Sequence, residues 1–105
     1  MISEERLQEL LEEATVDCYD EEEAFMGLFI SVDENVAWPL SAHLAGMPVD
    51  VLGLDGPAST LRRGLVASIR RDGKEYQASL ADLTFGDAMD ESSAEWLAMF
   101  RWWAD

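Results

Sequence analysis

Apolar side chains recur along this chain with two different periods, and the change of period divides it. Leu7, Leu10, Leu11 and Ala14 fall at i, i+3, i+4 and i+7, the stripe of an amphipathic helix. Ser3 stands where an N-cap is wanted, Glu4 and Glu5 follow in the first turn, and Glu9, Glu12 and Glu13 form the solvated face. A second helix is predicted from Asp20, because Asp20-x-x-Glu23 has capping spacing and the acids suit the positive end of a helix dipole. Its body, Ala24, Phe25, Met26, Leu28, Phe29, Ile30 and Val32, is apolar nearly all round, which predicts deep burial. Gly27 weakens the helix locally.

The period then becomes two. Trp38, Leu40, Ala42 and Leu44 alternate with Pro39, Ser41, His43 and Ala45, a half-buried strand with Pro39 near its start or on an edge. "PVDVLGL" predicts a second strand, which "LDGPAST" breaks with turn residues. Leu65, Ala67 and Ile69 lead to Asp72-Gly73, a strong hairpin signal, and Tyr76, Ala78 and Leu80 return. "LADLTF" suits one turn of 3₁₀ helix. In "DESSAEWLAMFRWWAD", Ser92-x-x-Glu95 has the form of a capping box, and Trp96, Phe100 and Trp103 share a face suited to a core. Trp102 points elsewhere, as a candidate contact surface. The fold class expected is α+β: a small antiparallel SH3-like β-barrel or curled sheet, flanked by N-terminal helices and a C-terminal helix. One domain is expected, helical and acidic over 1–35, β-rich and neutral over 36–86, and an acidic helix over 87–105.

Charge follows that division. The 105 residues carry a formal net charge of -15, with Lys plus Arg 7 against Asp plus Glu 22. Both ends hold the excess, while acids and bases balance between them. Nucleic acid and anionic membranes are poor partners for such a surface, since phosphate contacts need a basic patch. No apolar run approaches the roughly 20 residues of a membrane span, and "MISEERLQELLEE" lacks the basic and apolar regions of a signal peptide, so a cytoplasmic location is expected. Cys18 is alone and acid-flanked, which disfavours a reactive thiolate. His43 has no second nitrogen or sulfur ligand at metal spacing, and nucleophile-elbow, Walker and dinucleotide motifs are missing, so an enzyme is not expected.

Oxygen donors are what the sequence has in excess. Asp17, Asp20, Glu21, Glu22 and Glu23 crowd into residues 17–23, where an N-terminal cap accounts for only part of the charge and neighbouring carboxylates oppose one another's ionisation. Asp33, Glu34 and Asn35 follow at the end of the second helix, where acids oppose the dipole by roughly 0.3–1 kcal/mol each. A divalent ion reverses that sign by sharing carboxylates with the helix's unpaired terminal carbonyls. Calcium, which takes roughly 6–8 oxygens, suits this composition. The EF-hand pattern fails, because "DENVAWPLSAHL" and "DAMDESSAEWLA" end in Leu and Ala instead of Glu, so a site must be assembled from separated segments.

"VDCYDEEEAFMG", an apolar run, "DEN", the pair Trp38-Pro39, "VDVLGL" and a Trp-rich C-terminal helix resemble, over residues 16–105 and in the same order, the small acidic calcium-binding protein family of heterocyst-forming cyanobacteria and its bacterial relatives. The most specific parts are Val16-Asp17, Tyr19, Glu22-Glu23, Met26-Gly27 and Asp33-Glu34-Asn35. The resemblance implies a non-EF-hand protein of unusual α+β fold that buffers or sequesters cytoplasmic calcium through acidic side chains and backbone carbonyls. Carried across by position, it implies Asp17, Asp20, Glu22, Glu23, Asp33 and Glu34 as ligands; Asp90 and Glu91 are added on charge alone. The chain departs from the pattern in the aliphatic "GLFISV", in Cys18 and in the bases of "LRRG" and "IRRDGK". If the family places ligands in the barrel loops, Asp50 and Asp55 are the only acids near them, and one of two sites is then expected to be weak or missing.

A calcium-binding monomer is therefore the expectation. The alternative is an acidic adaptor or mimic that docks on a basic protein partner, steered by charge and anchored by Trp102 or Trp103.

Overall fold

The computed structural model describes residues 2–86 and 89–104. The predicted 87–105 segment thus begins and ends on Asp87 and Asp105, which lie outside the described residues. The chain divides into two compact units, Met1–Val36 with Asp90–Asp105, and Ala37–Met89.

The first unit is helical: α1 (Glu4–Ala14), α2 (Glu21–Asn35) and α3 (Glu91–Ala104), each packed on the other two. Ser3 caps α1, its side chain accepting from the Arg6 N–H, and Leu7, Leu10 and Ala14 are buried as the period requires. They meet Phe25, Leu28 and Val32 of α2 and Trp96, Leu97, Met99 and Phe100 of α3 in the unit's apolar core. Arg6 adds a two-point link from α1 to α3: its Nε and Nη2 donate to the two carboxylate oxygens of Glu95, each at 3.1 Å.

Three helical expectations change. α2 is not buried all round, because Met26 and Ile30 remain 52% and 48% exposed on a face that neither other helix covers. The Ser92–Glu95 box does not form. Asp90 caps α3 instead, accepting from the Ser93 N–H at 3.0 Å and the Ser93 hydroxyl at 2.6 Å, and this leaves Glu95 to Arg6. Trp103 lies on the face of Trp96 and Phe100 but one turn past the packed region, so it is 38% exposed.

The second unit is an antiparallel sheet in which β1 (Leu40–Leu44), β2 (Met47–Leu54), β3 (Val66–Arg71) and β4 (Lys74–Ser79) meander and β5 (Leu83–Phe85) returns beside β1. The 3₁₀ turn expected in "LADLTF" falls at Leu80–Asp82. Both tight hairpins, Ala45-Gly46 and Asp72-Gly73, have positive φ at both central residues, the geometry that matches the twist of flanking strands. The longer β2–β3 loop is held by Asp55, whose Oδ1 accepts from the Ala58 N–H and whose Oδ2 accepts from the Gln77 side chain. Asp55 therefore serves the loop, and Asp50 lies across the ladder from Arg70.

The expected SH3-like barrel or curled sheet does not form. The strand order is β4-β3-β2-β1-β5, so β4 and β5 sit at opposite edges of an open sheet. Closure requires the last strand to pair back on β4, but β5 has three residues and its ladder runs to β1. Strong curl also needs repeated bulges, and among the described residues the ladders shift register at one place, between Val51 and Gly53.

Candidate metal centre

The acids that composition singles out lie at the two ends of α2. At its start, α1 closes through the Thr15 N–H to the Leu11 carbonyl, and the Cys18 N–H reaches the Thr15 carbonyl. Asp17 turns the chain with φ 58, a left-handed conformation that Asp tolerates better than most residues. Asp20 caps α2, accepting from the Glu23 N–H at 2.8 Å, and Glu23 reaches back to the Tyr19 N–H at 2.9 Å. This is the reciprocal arrangement the spacing predicts, displaced by one residue on the return bond. Asp17, Asp20, Glu21, Glu22 and Glu23 are all exposed.

Gly27 explains how α2 lies against the end of α1. A Cβ on Gly27 would run into the Ala14 carbonyl oxygen and stand 3.3 Å from Cys18 Sγ. Cys18 is tied in turn, its thiol donating to the Glu23 carbonyl at 3.3 Å. By sequence alone this glycine is only a weak helix former; its packing role shows in the contact with Ala14, a residue thirteen positions away.

At the other end, Asp33 and Glu34 stand exposed in the last turn of α2, which holds no basic side chain. The Asn35 amide donates back to the Ser31 carbonyl at 2.8 Å, and the Asn35 carbonyl accepts from the Ser92 hydroxyl at 3.3 Å. That last bond sets the first turn of α3, with exposed Glu91, beside the carbonyl end of α2. Sequence reading missed this pairing, because residues 35 and 92 have no local signal in common. Asp90 is there too, but Ser93 occupies both its oxygens, and these hydrogen bonds hold its carboxyl below the ordinary carboxylate range.

The two acidic groups are separate. A helix of 15 residues spans about 22 Å at the usual rise, so no single ion is shared between the ends of α2. Nor is either end a closed cage: among the described residues, no group of three or more His, Cys, Asp and Glu is drawn together as a ready metal site. The donors are nonetheless hard oxygens, carboxylates and terminal helix carbonyls, in the set calcium favours and zinc does not. At the end of α2, Asp33, Glu34 and Glu91 are exposed carboxylates, and the last turn of the helix adds backbone carbonyls.

Comparison with known proteins agrees in fold and family. The crystal structure of Anabaena CcbP superposes with a TM-score of 0.82 at 23% identity, covering 99% of this chain and 92% of that one. A calcium binding protein in the calcium-binding form gives 0.80 at 23%, covering 97% of this chain and 90% of that one. At such identity the likeness is one of fold. No curated protein matches the chain. A protein-family model described as calcium binding, Calci_bind_CcbP, matches residues 8–104. With a match over nearly the whole length and no EF-hand loop in the sequence, the chain belongs to the CcbP family of non-EF-hand calcium-binding proteins, whose business is holding an ion and not catalysis.

Proposed function

We propose that this chain is a cytoplasmic calcium buffer that acts as a monomer and as one functional domain, and that its ions bind at the two ends of α2. Asp33 and Glu34, with Glu91 and the last carbonyls of α2, hold one ion. Asp17, Asp20, Glu22 and Glu23 hold a second, weaker one, since Asp20 and Glu23 already accept backbone N–H groups. The observation that carries the reading is the uncompensated end of α2: acids stand at the negative pole of a helix whose last turn has no base. An ion there removes the repulsion and uses carbonyls that the helix leaves unpaired. The fold shared with a calcium binding protein in its calcium-binding form is consistent with this placement. Open, exposed carboxylates suit reversible storage, because little structure has to move for an ion to enter or leave.

Calorimetric titration after exhaustive chelation tests the proposal directly. Saturable calcium uptake that Asp33→Asn weakens at least tenfold and Glu9→Gln leaves unchanged is expected. Equal effects of both substitutions mean diffuse counterion attraction and reject the assignment.

The adaptor reading keeps one supporting observation, the exposed Met26 and Ile30 on an α2 face bounded by acids. It predicts capture of basic amphipathic peptides by that face with the same affinity in calcium and in chelator.

A further inference from the structure

The open sheet of the second unit leaves both an edge and part of a face uncovered. β4 is an edge strand, and its first four residues, Lys74, Glu75, Tyr76 and Gln77, are exposed. Beside it lies a groove of about 350 Å³, whose lining includes Leu44, Met47, Val49, Ile69, Arg71 and Tyr76. Tyr76 pairs with Ile69 across the ladder and Lys74 pairs with Arg71, so the period of two sets these four side chains on one face. Val51 pairs with Ile69 on the next ladder, so the groove is the outer end of the sheet's buried face, running out to the free edge. Met47 and Tyr76 are 43% and 52% exposed there, an apolar floor in contact with water.

Charge at the groove differs from charge elsewhere in the chain. Lys74 and Arg71 are like charges directly opposite one another, an unfavourable cross-strand pair. Asp72 also lines the groove and approaches Arg71 to 3.8 Å with its side chain largely exposed, so it offsets one of the two positive charges and leaves the other. Glu75 and Asp50 do not relieve the pair, because both sit opposite Arg70 on the alternate face. The hairpin end of the groove is thus locally cationic in a chain whose net charge is -15.

We propose that β4 and this groove dock an extended segment of a partner protein as one more antiparallel or parallel strand. Apolar residues at alternate positions enter the groove beside Tyr76 and Ile69, and one carboxylate lies against Lys74 and Arg71. Strand addition of this kind draws affinity from the unpaired backbone groups of an edge and specificity from pockets for alternate side chains, and the structure supplies both. The single carboxylate answers the like-charge pair.

The test is selection of random eight-residue peptides displayed on phage against the calcium-loaded full chain, followed by titration of the selected synthetic peptides. Expected are sequences with apolar residues at alternate positions and a terminal Asp or Glu, slowed amide exchange in residues 74–79 of the wild-type chain on binding, and at least a tenfold loss of affinity in the Arg71→Glu/Lys74→Glu variant. Calcium uptake of that variant, unchanged, reports that it folds; the exchange measurement on the wild type decides the matter if it does not. No enrichment, exchange protection outside β4, or slow exchange of β4 in the unliganded protein accompanied by dimers in light scattering overturns the proposal, the last by making a second copy the occupant.

Discussion

Single side chains set several local geometries with measurable consequences. Gly27→Ala introduces a better helix former, by about 1 kcal/mol, yet it is expected to destabilise the protein by about 1–3 kcal/mol, because the new methyl group meets the Ala14 backbone carbonyl and not a flexible side chain. Urea denaturation midpoints measure the sign, and a gain in stability contradicts the packing of α2 on α1. Ala45 is the opposite case. It occupies a left-handed position, φ 51, ahead of Gly46 in a tight hairpin, where Asn is favoured and Ala is strained. Ala45→Asn is expected to stabilise by about 1 kcal/mol in the same assay. Asp90 supplies the pH dependence. Its carboxyl is held below its ordinary range, chiefly by the Ser93 hydroxyl and N–H, so the unfolded chain binds its proton more readily than the folded one. The stabilisation is full above the unfolded pKa, about 3.9, and is lost as pH falls through the lower folded value. Asp90→Asn keeps a capping side chain without the titration, so its stability should fall less steeply than that of the wild type as pH drops below about 4.

At the scale of elements, α2 carries opposed demands. Its N-terminal acids agree with the dipole, whereas Asp33 and Glu34 oppose it with no base nearby. Removing either charge should therefore stabilise the calcium-free protein by about 0.3–1 kcal/mol while weakening calcium binding. Melts of Glu34→Gln in chelator and in calcium test this: the midpoint should rise in the first and respond less in the second. A parallel fall in both conditions assigns Glu34 a structural role. Asp17→Asn makes a complementary probe, since Asn also adopts the left-handed turn and separates loss of a ligand from loss of the loop. The element boundaries show what periodicity resolves. α1, the Asp20 cap, the Asp72-Gly73 hairpin and the Leu80–Asp82 turn were legible because each depends on residues within a few positions of one another. The α3 cap was not, since Asp90-Ser93 and Ser92-Glu95 have equal claims locally, and the choice falls to Arg6, which draws Glu95 away.

For the whole molecule, calcium binding to the folded state alone raises stability by RT ln(1 + [L]/Kd), about 2.7 kcal/mol at a hundredfold excess over Kd. A rise in the thermal midpoint with calcium, exceeding that with equal magnesium and reversed by chelator, is the expected outcome. No helix among the described residues is long and apolar enough to cross a membrane, which agrees with the sequence hydropathy. The open sheet corrects the expected barrel, and the reason lies beyond any local pattern. Alternation identifies strands, but closure depends on whether the last strand is long enough and correctly placed to meet β4, and β5 is neither.

By itself the sequence determined the class of elements, the division into acidic helical ends and a neutral β-rich middle, and the preference for a hard cation. These follow from short-range periodicity and from charge, which a linear chain displays in full. Only the tertiary structure decided that Asp90 is engaged by Ser93, that Glu91 stands at the carbonyl end of α2, and that Asp55 is occupied in a loop. Ligand geometry is a relation between residues far apart in sequence. It is fixed by how helices pack and strands pair, and the number of acids in a segment does not carry that information.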